Sequence, residues 1–224
     1  MTNLERNDET SKKVLVLAAH PDDETLGAGA TLARLAQEGY YIKLITFTDG
    51  VGAREDSKTN RNEKLDAVCS VLGISDYACG KFPDNKMDTV SLIEVCKFIE
   101  NNVDFEPDII FTHHPGCLNI DHSIVYRATI TVFRPQNGKK AEIYSYYVPS
   151  STDYNPLARF NGNVYFNVEE HVDKKMEALR VYDEEMRDYP HTRSYENIIN
   201  LLKTAGAQVG LKYAEKLQLI RSIK

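Results

Sequence analysis

Apolar positions in this chain alternate between short unbroken runs and longer periodic ones. "KVLVLAA" (residues 13–19) is continuous, as in a strand covered on both faces. "ETLGAGATLARLAQEG" (24–39) then places Leu26, Ala30, Ala33 and Ala36 at helical spacing, with Gly39 as a stop. "YIKLITFT" (41–48) predicts a second strand, followed by a polar helix from about Lys58 to Leu72, ended by Gly73. A short strand near Tyr77–Lys81 and a helix near Thr89–Asn102 continue the rhythm. "PDIIFTHH" (107–114) predicts another clear strand, and "IDHSIVYRATITVF" (120–133) a helix that opens at an Asp. "AEIYSYYVP" and "NVYFNV" predict two more strands. The last fifty residues predict helix throughout: "EEHVDKKMEALRVYDEEM", "SYENIINLLKTAGAQVG" and "LKYAEKLQLIRS".

Alternating strands and helices predict an α/β fold: a Rossmann-like, mostly parallel sheet with helices on both faces and a helical C-terminal region. Residues 1–12 predict a flexible tail, and residues 13–224 a single domain, without internal repeat or linker. In such sheets ligands bind at the carboxyl ends of the strands.

Composition narrows the picture slightly. The 224 residues are 42% hydrophobic and 27% charged, with a net charge of -6, which argues against nucleic acid as the main partner. The four cysteines, Cys69, Cys79, Cys96 and Cys117, have neither zinc-ribbon nor disulfide-framework spacing. They predict reduced, mostly buried thiols. With a polar start and no run long enough for a membrane span, the expectation is a soluble cytoplasmic protein.

The chemistry concentrates where the first strand ends. "AAHPDDE" places His20, Asp22, Asp23 and Glu24 at its exit. Acids in the first turn of a helix offset its dipole and cap its N–H groups. Capping accounts for each acid singly, but not for the histidine or for three carboxylates held against their mutual repulsion. A divalent cation would resolve that repulsion, and three protein ligands with an open position make a catalytic zinc site. "FTHHPGCLNIDHS" supplies His113, His114, Asp121 and His122 at a second strand end. Two His/Asp clusters at two strand ends point to one site.

These segments resemble the PIG-L/LmbE-like family of zinc-dependent N-acetylglucosaminyl deacetylases. The resemblance rests on "AAHPDDETLGAGATLARLAQEG", "ITFTDGVGAR" and "HHPGCLNIDH", and covers about residues 12–135; "DYPHTRSYENI" and "GLKYAEKL" continue it more weakly. It implies zinc on His20, Asp23 and His122, with Asp22 as general base. Iron(II) or cobalt would suit the same two nitrogens and one oxygen. Asp121 would orient a ligand or a catalytic imidazole. Many members carry a further histidine three positions before the last ligand, where this chain has Asn119. His113 or His114 stands in for it, or Asn119 donates a hydrogen bond to the substrate; His114 is the expected catalytic histidine. The implied reaction is removal of an acetyl group from a small-molecule N-acetylated amino sugar by activated water.

Other positions carry two readings each. In "TDGVGAR", Asp49 and Arg54 face the same edge; Arg54 either binds a sugar hydroxyl or phosphate or is a solvated turn residue. "PHTRS" either folds over the pocket, with His191 and Arg193 on the substrate, or caps the helix beginning near Ser194. The charges of "EEHVDKK" and of Asp183, Glu184 and Glu185 are expected on the surface, and His171 is not expected to bind metal. The competing functions are an amidase for another N-acyl or thiol-conjugate substrate, a phosphoesterase lacking a second full ligand set, and a non-catalytic Rossmann-like binding protein. A homo-oligomer is left open.

Overall fold

The structure, a computed structural model, describes residues 11–50, 61–136 and 140–224. The expected tail, apart from residues 11 and 12, lies outside them, as does Arg54. The chain runs β1 (Lys13–Ala18), α1 (Asp23–Gln37), β2 (Tyr41–Thr46), α2 (Leu65–Leu72), β3 (Asp76–Cys79), α3 (Leu92–Asn102), β4 (Ile109–His113), α4 (Ile120–Val132) and β5 (Glu142–Tyr146). It continues through β6 (Val164–Asn167), α5 (Val172–Val181), α6 (Tyr195–Ala207) and β7 (Ala214–Arg221).

One seven-stranded sheet has the order β3-β2-β1-β4-β5-β7-β6. The first five strands are parallel, and β7 runs antiparallel between β5 and β6. Strand β1 explains the layering. Val14, Val16 and Ala18 face one core, shared with α1, α2, α5 and α6. Leu15, Leu17 and Ala19 face the other, shared with α3 and α4. An unbroken apolar run is what a strand buried on both faces requires. Helices end as their sequences specify: Gly73 sits at φ 73 beyond α2, and a Ser91–Glu94 capping box opens α3.

The C-terminal segment departs from expectation. "LKYAEKLQLIRS" is a strand, not a helix. Leu217 and Leu219, two residues apart, join one core, while Ile220 joins the other, which is the period of a pleated strand. A buried ion pair ties β7 to α1. Lys175 Nζ donates to Glu215 Oε1 at 2.6 Å and to the Leu26 carbonyl at 2.8 Å. Glu215 in turn accepts the Ala30 and Thr31 N–H groups at 3.2 and 2.6 Å. Lys175 is thus buried within the charge run expected to be solvated, because Glu215 supplies its counter-charge. His171 pairs with Gln37.

Helix α1 lies close against β5 because Gly27 has no side chain. A Cβ there would meet the Tyr146 ring at 2.3 Å. Tyr146 is fully buried, and its hydroxyl donates to the Leu17 carbonyl at 2.8 Å. Gly27→Ala is therefore expected to cost about 1–3 kcal/mol through overpacking, read as a lower urea midpoint at unchanged slope. An unchanged midpoint would mean that Tyr146 yields freely.

Candidate metal centre and active site

Strands β1 and β4 are neighbours in register, with Val16 opposite Phe111, so they end level. The chain leaves β1 for α1 on one face and β4 for α4 on the other, the switch point where a crevice opens in such sheets.

The exit from β1 turns on Asp22, whose backbone has φ 129 and ψ -31. The acid at the N-cap does not do what local capping predicts. Asp22 makes no side-chain cap bond to α1; its Oδ2 instead accepts from Arg193 Nη1 at 3.0 Å. Asp23 Oδ2 accepts the His20 N–H at 2.9 Å. Glu24 reaches backward, with Oε2 accepting the Asp22 N–H at 3.0 Å and Oε1 the Thr25 hydroxyl at 2.6 Å. Burial raises the Glu24 carboxyl to about 7.

The exit from β4 is built by Asn119, which caps α4 by accepting the Asp121 N–H at 2.9 Å. That cap places Asp121 and His122 in the first turn, facing β1. The result is three donors in a small triangle. Asp23 Oδ2 lies 3.0 Å from His20 Nδ1 and 3.2 Å from His122 Nε2, and the two nitrogens are 3.3 Å apart. Tetrahedral zinc with bonds of about 2.0–2.1 Å would hold its ligands about 3.3 Å apart, so the donor set fits. The other Asp23 oxygen, Oδ1, is buried without a hydrogen-bond partner.

The charges agree. Burial alone would lower His122, but the Asp23 carboxylate, with help from Cys117, lifts it to about 9. Burial would raise Asp23, yet His122 and His113 hold it well below the ordinary carboxylate range. The cluster thus stabilises positive charge, which a dication supplies when it displaces the protons.

Each of the two candidate imidazole donors has an orienting partner. His20 Nε2 lies 3.1 Å from both Asp84 Oδ1 and Asp121 Oδ2. Asp121 is itself fixed by the Asn85 and Met87 N–H groups at 2.7 and 3.0 Å. His20, Asp84 and Asp121 form a second donor group, but Asp121 has both oxygens engaged by backbone, as suits a carboxylate that holds a ligand imidazole. Asp84, from "FPDN", was not expected; no local motif marks it, and only the loop after β3 brings it to His20. His122 Nδ1 contacts Cys117 Sγ at 3.1 Å. Cys117→Ala is expected to weaken metal retention by about 10–100-fold, measured by chelator competition; an unchanged affinity would show that the thiol does not fix the ring.

The remaining predicted residues separate. His113 belongs to the cluster: its ring stacks on His122 at 3.9 Å, and Nε2 accepts the Ala19 N–H at 2.8 Å. Burial and neighbouring His122 hold it well below its usual range. His114, one residue on, turns away, and its ring lies edge-on to Phe160 at 5.3 Å. Successive side chains at a strand end point to opposite sides, so a catalytic part for His114 is not carried forward. The Asn119 amide donates to Asn85 Oδ1 at 2.9 Å. His191 Nδ1 accepts the Arg193 N–H at 3.0 Å. The capping reading of "PHTRS" holds: Ser194 caps α6 by accepting the Asn197 N–H at 3.1 Å, and Arg193, one residue earlier, reaches Asp22. Glu185, expected at the surface, is buried with Oε2 3.6 Å from Arg193 Nη1. Asp49 is exposed at the exit of β2.

A family model, PIG-L, described as GlcNAc-PI de-N-acetylase, matches residues 15–133. The chain belongs to the PIG-L family of hydrolytic deacetylases. This PIG-L protein is 32% identical to the deacetylase YaiS of Escherichia coli (strain K12) over 179 residues, 75% of this chain and 89% of that one. Its fold is similar to that of N,N'-diacetylchitobiose deacetylase from Pyrococcus horikoshii, with TM-score 0.73 and 18% identity over 97% of this chain and 87% of that one. It is likewise similar to GalB, the 4-carboxy-2-hydroxymuconate hydratase of Pseudomonas putida KT2440, with TM-score 0.71 and 19% identity over 95% and 98% of the two chains. A hydratase and a deacetylase on one fold mean that the chemistry must be argued from the site. Among the described residues no helix of this PIG-L protein is long and apolar enough to cross a membrane.

Proposed function

We propose that this protein removes the acetyl group from an N-acetylated amino sugar by metal-assisted hydrolysis, with His20, Asp23 and His122 holding a single zinc ion. The observation that carries this reading is the triangle of three buried donors, 3.0 to 3.3 Å on a side, at the switch point of the sheet. When bound, the ion lowers the pKa of a water to about 7 and polarises the amide carbonyl. Asp22, next in sequence to a ligand but turned off it by its unusual backbone, takes the proton of the attacking water and returns it to the departing amine. Asp84 and Asp121 keep the His20 ring in place, and Cys117 and the stacked His113 do the same for His122. The amino-sugar assignment draws on the family's description and on the chitobiose deacetylase neighbour. Free cysteines, Cys69, Cys79, Cys96 and Cys117, suit a reducing, cytoplasmic setting.

The test is acetate release from a panel of N-acetylglucosamine glycosides and N,N'-diacetylchitobiose by zinc-loaded protein, with metal content measured in parallel. Release that is lost on chelation and restored by zinc is expected. One bound ion per chain with no acetate from any member would overturn the substrate class and leave the metal centre standing.

A further inference from the structure

Among the described residues only three non-glycine positions have positive φ: Asp22 at 129, Asn85 at 53 and Ser150 at 68. Asp22 and Asn85 lie at the site, and Ser150 is joined to it through Arg193. Asn85 is pinned by Asp121 through its N–H. The other two, from distant parts of the chain, are joined by one side chain. Arg193 Nη1 donates to Asp22 Oδ2 at 3.0 Å, and Nε donates to Ser150 Oγ at 2.8 Å and to the Pro149 carbonyl at 3.2 Å. Glu185 stands 3.6 Å from the same Nη1 and adds a second carboxylate.

The guanidinium is itself anchored. The Arg193 N–H donates to His191 Nδ1, and its carbonyl accepts the Arg187 N–H at 3.3 Å. Thr192, before it, accepts from Asn197 Nδ2 at 2.8 Å, and Ser194, after it, caps α6. Ser150 is held from its other side, where its N–H donates to Asp153 Oδ2 at 2.9 Å. Positive φ in a residue with a Cβ persists only where surrounding contacts over-determine it, and such residues collect at functional sites. A planar fork with donors in fixed directions can hold two partners at once, which a lysine ammonium on a flexible stem does not match.

We infer that Arg193 is a positioning residue, clamping Asp22 and Ser150 in their left-handed conformations and so aiming the Asp22 carboxylate, rather than a contact for the sugar. The inference rests on the reading of Asp22 as the base. It makes the geometry of the β1 exit depend on a segment 171 residues away.

The experiment compares Arg193→Gln and Arg193→Lys with the wild type, zinc-loaded, on whichever sugar of the panel releases acetate fastest. Misaiming a catalytic group by about 1 Å costs on the order of 10²-fold in rate. Arg193→Gln is therefore expected to lower kcat by about 10–100-fold, with KM little changed, and Arg193→Lys is expected to restore little of it. A large rise in KM with kcat retained would make Arg193 a substrate contact and overturn the inference. Thermal melting of Arg193→Gln, Asp22→Gly and their double variant gives a reading independent of turnover. Arg193→Gln should lower Tm by roughly 3–6 °C in the wild-type background and by less than half as much with Asp22→Gly, where the strained carboxylate is gone. Equal losses in both backgrounds would overturn the clamp. Should Arg193→Gln prove insoluble, Arg193→Lys carries the same two comparisons. If the wild type releases no acetate from any sugar, the deacetylase reading fails, and the melting comparison still decides the clamp.

Discussion

Asp22→Asn is expected to lower acetate release by about 10²–10⁴-fold, the usual contribution of a positioned general base, while each chain keeps one bound metal ion. The asparagine retains the shape of the side chain and an oxygen for Arg193 Nη1, so the turn at φ 129 survives; only the capacity to accept a proton is lost. Steady-state rates with elemental analysis of the same sample check both halves. A variant with a tenth or more of wild-type activity would move the base elsewhere. Stability should follow the opposite order. Asp22→Gly removes the Cβ that makes this conformation costly, so it is expected to be more stable than Asp22→Ala by about 1–3 kcal/mol. Urea denaturation compares them, and equal stabilities would mean that the turn stores no strain.

His122→Ala is expected to abolish both metal binding at stoichiometric zinc and turnover, with activity down by several kcal/mol of transition-state stabilisation, about 10³-fold or more. Two donors, His20 Nδ1 and Asp23 Oδ2, would remain, with a buried void where the third stood. Asp84→Asn, which alters only the support of His20, is expected to lose metal affinity by about 10–100-fold. Isothermal titration or chelator competition ranks the two. If His122→Ala kept its ion while Asp84→Asn lost it, the metal would belong on His20, Asp84 and Asp121 instead. The pH dependence has a fixed sign. Without metal, His122 holds its proton up to about 9, so below that pH the ion must displace it. Burial would lower His20 too, but Asp121 and Asp23 hold it well above its usual range, so apparent affinity should fall by at least about tenfold for each unit of pH below 9.

The sequence by itself determined the alternation of strands and helices along the chain, the placing of two His/Asp clusters at strand ends, and helix stops such as Gly73. These are local matters: an unbroken apolar run, a helical period or a glycine in the left-handed region acts within a few residues. It did not determine β7. Leu217, Leu219 and Ile220 suit a helix or a strand, and the open edges of β5 and β6 decide between them. Nor did it determine what the acids do. Local rules make Asp22 a helix cap; tertiary structure gives Asp22 to Arg193 and Asp23 to His122. Asp84 and buried Glu185 carry no motif, and His113 and His114 are equivalent until the end of β4 turns one inward. Lys175 reads as a surface charge until Glu215 arrives from the last strand. Contacts of this kind depend on the sheet order that sets β2 and β4 beside β1, with β3 one strand further out, and on a C-terminal third that folds back over it. The strength of a buried charge or hydrogen bond comes from the low-dielectric surroundings that only the assembled fold supplies.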